Sequence, residues 1–155
     1  MFETFPFDNR VVRLTLSGAQ LRQVMASEAK RGRRTVGLHG ITAAVSCEGA
    51  TMKVTITRNG GHVVEDSDIL EVGTSDYLAL GGANVFTAVM PAGGFPLDFR
   101  QPLIRDLVVD WLSRRSAPLD PVKFVGSAYQ NWSRPPLEEF HCEPASLEAD
   151  NQPQS

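Results

Sequence analysis

Between Asn9 and Gln20 a strand pattern gives way to a helix start with no linker, and this junction constrains the fold more than any other stretch. Val12, Leu14 and Leu16 alternate with Arg13 and Thr15, which puts three apolar side chains on one face of an extended segment. Ser17 and Gln20 then have the S-x-x-Q spacing of a capping box. In that motif each side chain satisfies a backbone N–H that the first helical turn leaves without a partner. Leu21, Val24, Met25 and Ala29 follow at helical spacing and form an apolar stripe. Lys30, Arg31, Arg33 and Arg34 crowd the C-terminal end, where the helix dipole favours cations, and Gly32 offers a stop.

The rest of the chain is richer in strands than in helices. Residues 35–46 carry many β-branched side chains, interrupted by Gly37 and Gly40 in the manner of a bulge or a close backbone approach. Residues 51–57 alternate through Met52, Val54 and Ile56, Asn59-Gly60-Gly61 signals a turn, and Val63-Val64 reads as a short return strand. Residues 69–74 read as a further strand. A second helix is expected over Gln101 to Arg115, with Pro102 in its first turn and Leu103, Leu107, Trp111 and Leu112 on one face. Residues 122–125 suggest one more strand. Clustered strands between two helices point to an α+β domain: a mixed, largely antiparallel sheet packed with two main helices. One domain is expected over residues 5–132. The Pro-rich, acidic stretch 133–155 is expected to be an irregular, partly disordered tail.

Composition narrows the function classes. The 155 residues include 42% hydrophobic and 21% charged side chains, enough to bury a core without a metal or disulfide. A formal net charge of −3 argues against a general nucleic-acid binder, which needs a basic face to displace phosphate counterions. No apolar run is long enough to span a bilayer, and residues 1–6 lack a signal-peptide pattern. Cys47 and Cys142 either pair or remain two thiols; the count leaves both open. His39, His62 and His141 are scattered, and Glu65, Asp66 and Asp68 lack the glycine and terminal glutamate of a calcium loop, so they read as a solvated turn.

Three stretches in order carry a resemblance. They are Pro6-Phe7-Asp8-Asn9 with the following strand and Ser17-Gly18-Ala19-Gln20-Leu21, then Val36-Gly37-Leu38-His39-Gly40-Ile41, then Thr74-Ser75-Asp76-Tyr77-Leu78-Ala79-Leu80-Gly81-Gly82. Together they resemble the C-terminal domain of the 5′-nucleotidases, a family that also includes UDP-sugar hydrolases and 2′,3′-cyclic-nucleotide phosphodiesterases. The resemblance covers roughly residues 5–115. It implies a substrate-recognition domain in nucleotide catabolism, whose partner N-terminal metallophosphoesterase domain carries two divalent metals and cleaves the phosphate. A periplasmic or extracellular location would follow for the parent protein. No cofactor and no catalytic residue are expected in this chain itself.

The resemblance also assigns a site. Tyr77 takes the place of the aromatic that stacks on the base, and Gly81, Gly82 and Asn84 form the adjoining wall. An aromatic face suits a base because every base presents a π surface. Read without the family, Tyr77 is a half-buried tyrosine closing a strand, Gly81-Gly82 a tight turn, and Asn84 the cap of a helix running through Val85, Phe86 and Val89. The chain departs from the family pattern at three points. Ala83 stands where the family has the aspartate that receives the ribose hydroxyls. Thr35 falls at the opposing aromatic, with Arg33 and Arg34 nearby as planar cations that could stack or meet a phosphate. The Asn-Gly-Gly-x-x-Arg segment that precedes the family's opening is not in the sequence. These departures leave two rivals: a non-catalytic remnant or interaction domain, and the equivalent domain of a thiosulfohydrolase, whose substrate has no base.

Overall fold

The computed structural model describes residues 7–32, 36–120 and 141–142. Within these, strand β1 (Val11–Ser17) runs directly into helix α1 (Gly18–Lys30), and β2 (Ile41–Glu48) and β3 (Thr51–Arg58) form a hairpin. Strand β4 (Ile69–Ser75) leads into the short helix α2 (Asp76–Ala79), and helix α3 (Ile104–Ser113) follows two 3₁₀ turns, Gly82–Asn84 and Thr87–Val89. Among the described residues the strands form two antiparallel pairs. β1 pairs with β4 from Val11↔Ser75 to Ser17↔Ile69, and β2 pairs with β3 from Ile41↔Arg58 to Glu48↔Thr51. This is the expected α+β class, with every described pairing antiparallel.

The capping box is formed as its spacing predicts. The Gln20 N–H donates to Ser17 Oγ at 3.1 Å and the Ser17 N–H donates to Gln20 Oε1 at 2.8 Å. The alternation of β1 also survives, with Val12, Leu14 and Leu16 buried. They meet Leu21, Val24 and Met25 of α1 and Val54 and Ile56 of β3 in one core, so α1 bridges the two strand pairs. Each of these side chains, fully withdrawn from water, contributes about 1.5–3 kcal/mol before the entropy of ordering is subtracted.

Tertiary contacts moved two element boundaries. The stretch expected as a strand from residue 35 begins pairing only at Ile41, because Gly40 turns the chain with φ +81° and its carbonyl accepts from the Asn59 N–H at 3.1 Å. The second helix begins at Ile104 rather than Gln101 and ends at Ser113. Pro102 is therefore not in its first turn. Residues 102–103 are held extended against the entry to β1: the Pro102 carbonyl accepts from the Val11 N–H at 3.2 Å, and Leu103 bridges Arg10. Just upstream, the Asp98 carboxylate accepts from the Arg100 side chain, the Arg100 N–H and the Gln101 amide, and these bonds hold its pKa down at about 2. Val63 joins Thr57 by a single bridge in place of a full return strand. The strand expected at residues 122–125 and most of the tail lie outside the described residues.

Two constraints tie the parts together. At the β1–α1 corner the Gly18 N–H donates to the Asp68 carbonyl at 2.8 Å and the Ala19 N–H to the Asp66 carbonyl at 3.2 Å. A Cβ on Gly18 would lie 1.9 Å from the Glu65 carbonyl oxygen. Cys47 at the end of β2 is disulfide-bonded to Cys142, 95 residues away in sequence. Gly18→Ala is expected to destabilise the domain by more than about 2 kcal/mol, since backbone must move to admit the methyl group; urea unfolding followed by far-ultraviolet circular dichroism measures this. Reducing the disulfide is expected to cost about 2–4 kcal/mol, because the loop it closes is long, and the same unfolding curve in reductant checks it.

Candidate functional site

The residues singled out in the sequence meet on one loop. Ser75 ends β4 extended, and its Oγ accepts from the Leu78 N–H at 3.3 Å, which starts α2. Asp76 Oδ1 accepts from the Arg10 N–H at 3.0 Å and the Tyr77 N–H at 2.8 Å, while the Asp76 N–H donates to the Arg10 carbonyl. These bonds anchor α2 to the chain entering β1 and fix where Tyr77 leaves the backbone. Tyr77 thus lies in the single turn of a short helix instead of closing a strand, and it is 54% exposed.

The two glycines behind it do different work. Gly81 adopts φ +103°, a conformation that side chains rarely accept, and turns the chain back toward α2. Gly82 needs no such angle. A Cβ there would lie 2.5 Å from Tyr77 Cζ, 2.6 Å from its Cε1 and 2.5 Å from its backbone oxygen. Gly82 is therefore the surface against which the tyrosine ring rests. Gly82 also opens the 3₁₀ turn Gly82–Asn84, so the turn read from the sequence is present. The ring contact is a second demand for glycine that no local pattern reveals, because the partner lies five residues away.

Asn84 corrects an expectation. It is the last residue of the 3₁₀ turn, with φ +57°, and its N–H donates to the Gly81 carbonyl at 3.0 Å. An N-cap has an extended backbone and a helix in front of it; here the backbone is left-handed and only the Thr87–Val89 turn follows, capped by no side chain. Ala83 beside it has φ +52°, so two consecutive non-glycine residues are left-handed. Arg33, Arg34 and Thr35 lie outside the described residues.

Beside the loop, a cavity of ≈ 360 Å³ opens between β4 and residues 36–41, lined among others by Leu38, Val72, Leu78 and Phe86, with His39, Glu71 and Thr74. Tyr77, Gly81, Gly82 and Asn84 do not line it. Phe86 also meets Phe95 edge-on, with ring centroids 6.3 Å apart, which pins the Pro/Gly-rich stretch 91–96 to the core.

A family model for the 5′-nucleotidase C-terminal domain matches residues 1–90. The chain belongs to that family. Among solved structures it is similar to the "Putative 5'-Nucleotidase from Staphylococcus aureus in complex with alpha-ketoglutarate", with a TM-score of 0.52 and 17% sequence identity. That likeness covers 74% of this chain and 26% of the other, so this chain spans about a quarter of that protein's length. At such identity the likeness speaks for the fold. A comparison with curated proteins gave no match. Tyr77, Gly81 and Gly82 fall within the family match, on the loop whose geometry is described above.

No group of three or more His, Cys, Asp or Glu side chains among the described residues could hold a metal ion. The two divalent metals that the resemblance implies therefore have no fitting donor set in the described part of this chain. Among the described residues no helix is long and apolar enough to cross a membrane.

The loop geometry makes the two glycines separable by experiment. Gly82→Ala is expected to displace the Tyr77 ring and cost about 1–3 kcal/mol. Gly81→Ala is expected to cost about 1 kcal/mol through its positive φ and to leave the ring in place, since its Cβ would meet only Met90 Cε at 3.7 Å. Nuclear Overhauser contacts between the Tyr77 ring and residue 82, measured alongside unfolding midpoints, distinguish the two.

Proposed function

We propose that this domain recognises the nucleoside part of a nucleotide for a metal-dependent 5′-nucleotidase-type phosphohydrolase, presenting Tyr77 as the base platform. The observation that carries this reading is the half-exposed Tyr77 ring, backed by Gly82 at the family's signature position. A ring supported on one side loses less freedom when a base stacks on it, so more of the stacking energy remains for binding. Gly81 and Asn84 set the wall beside the ring. Bond cleavage belongs, in this reading, to a metallophosphoesterase domain or partner chain that supplies both metals, and the residues here bind and orient. The Cys47–Cys142 disulfide agrees with a periplasmic or extracellular setting, where such bonds persist.

A second reading is favoured by Ala83. Its methyl side chain offers no acceptor to a ribose, so the domain can equally be a remnant or interaction module, or can serve a substrate without a base, as in a thiosulfohydrolase.

One titration separates these readings. Stacking on one ring contributes about 1–3 kcal/mol, and a millimolar dissociation constant corresponds to about 4 kcal/mol, so AMP must be taken to roughly tens of millimolar. Saturable NMR shift changes centred on Tyr77, Gly82 and Asn84, abolished by Tyr77→Ala, are the expected result. Equal changes in Tyr77→Ala, or none in the native domain, would reject the base platform. Thiosulfate and ribose titrated in parallel test the alternatives.

A further inference from the structure

We propose that Arg31 is a positioning residue for the Tyr77 loop: it holds residues 83 and 84 in their left-handed conformation and so sets the surface on which the ring rests. The inference rests on the reading of that loop as the binding surface, but its first test does not.

Arg31 is the C-cap of α1, and Gly32 behind it, at φ +62°, turns the chain away. Its Nη1 donates to the Asn84 carbonyl at 2.8 Å and to Glu28 Oε1 at 3.0 Å, with the Ala83 carbonyl at 3.5 Å. Glu28, one turn earlier on the same helix, is only 2% exposed, and it is the buried charged side chain among the described residues. A buried carboxylate is costly unless it is paired. Its pairing restrains the guanidinium at the helix end, so the loop carbonyls meet an ordered donor.

The loop has need of such a donor. Ala83 and Asn84 are the non-glycine residues with positive φ among those described. Asparagine tolerates the left-handed region because its short polar side chain can bond locally, whereas alanine has no such compensation and is strained there. Backbone held in a sparsely populated region persists only where surrounding structure over-determines it. At residues 83 and 84 that structure is the end of α1, more than fifty residues away in sequence. Because Gly82 lies directly before Ala83 and touches the Tyr77 ring, a change at residue 83 is transmitted to the ring.

The test uses the full chain. In Arg31→Met the Gly82 α-proton is expected to lose the displacement imposed by the Tyr77 ring current, while the methyl resonances of Val24 and Ile56 stay in place. AMP affinity is expected to fall about three- to tenfold, as the competent loop becomes a minority population. Ala83→Gly in the Arg31→Met background removes the strain and is expected to restore both readouts. Arg31→Lys keeps the charge without the planar fork and should fall between them. An unchanged Gly82 resonance in Arg31→Met, or no recovery with Ala83→Gly, would overturn the proposal. So would core and loop resonances shifting together, since Arg31 would then serve general stability. If the Gly82 resonance responds but AMP fails to bind even the native domain, the clamp stands and the nucleoside reading falls.

Discussion

The fold depends on the turn of residues 65–68 pressing against the start of α1. Gly18 and Ala19 give their N–H groups to the carbonyls of Asp68 and Asp66, and no atom larger than hydrogen fits between Gly18 and the Glu65 carbonyl. The same turn joins the two strand pairs. Before it, Val64 is tied to Ile56 of β3 by a 2.8 Å bond; after it, Ile69 begins β4 and pairs with Ser17. Arg22 reaches from α1 to the Val64 carbonyl at 2.5 Å and to the Asp66 carboxylate, and Arg58 lies within 3.7 Å of Asp68. These ion pairs are partly exposed to water and each contributes little on its own. The close backbone contact at Gly18 is different, because it leaves the helix one place to sit. With α1 placed, the apolar faces of β1 and β3 can close on it.

From that placement the site follows in steps. β1 fixes the register of β4, β4 delivers Ser75 as the cap of α2, and α2 sets the origin of Tyr77. The other end of α1 then holds the far side of the same loop through Arg31. One helix thus positions both edges of the ring's surroundings: its start through the β1–β4 pair, its end through the carbonyls of residues 83 and 84. The strain at Ala83 becomes intelligible in this setting. An aspartate or asparagine could support a left-handed residue from within the loop; alanine cannot, and the support comes from outside.

Where a pattern is local, the sequence was legible. The alternation of β1, the Ser17–Gln20 box and the alternating strand of residues 51–57 depend on neighbours within a few residues, and each appears where its spacing placed it. The sequence pattern failed where a distant segment competed for the backbone. Pro102 has the chemistry of a first helical turn, yet its carbonyl is held by Val11, so α3 starts later. Asn84 has the chemistry of a cap, yet its backbone is left-handed and only the Thr87–Val89 turn, which it does not cap, directly follows. Gly82 lies in the turn that its motif suggests, but its contact with the Tyr77 ring is set across that turn and is not legible in the sequence. Arg31 was read as a cation suited to a helix end. That is correct as far as it goes, but the carbonyls it meets are brought there only by the fold.

In the proposed nucleoside reading, a single ring limits what Tyr77 can do alone. Stacking on one ring gives about 1–3 kcal/mol, less than the roughly 4 kcal/mol of even a millimolar complex. Ala83 removes a side-chain acceptor that would have added a hydrogen bond, and a hydrogen bond adds only about 0.5–1.5 kcal/mol net. A tight complex therefore requires contacts from beyond this loop, on the opposite face of the base or from another domain. In the proposed reading such an organisation would suit handing the nucleotide to a second site, since a platform that held it tightly by itself would resist release. In the proposed nucleoside reading, this loop would give weak, localised and ring-dependent binding, and strong binding would point to a different surface.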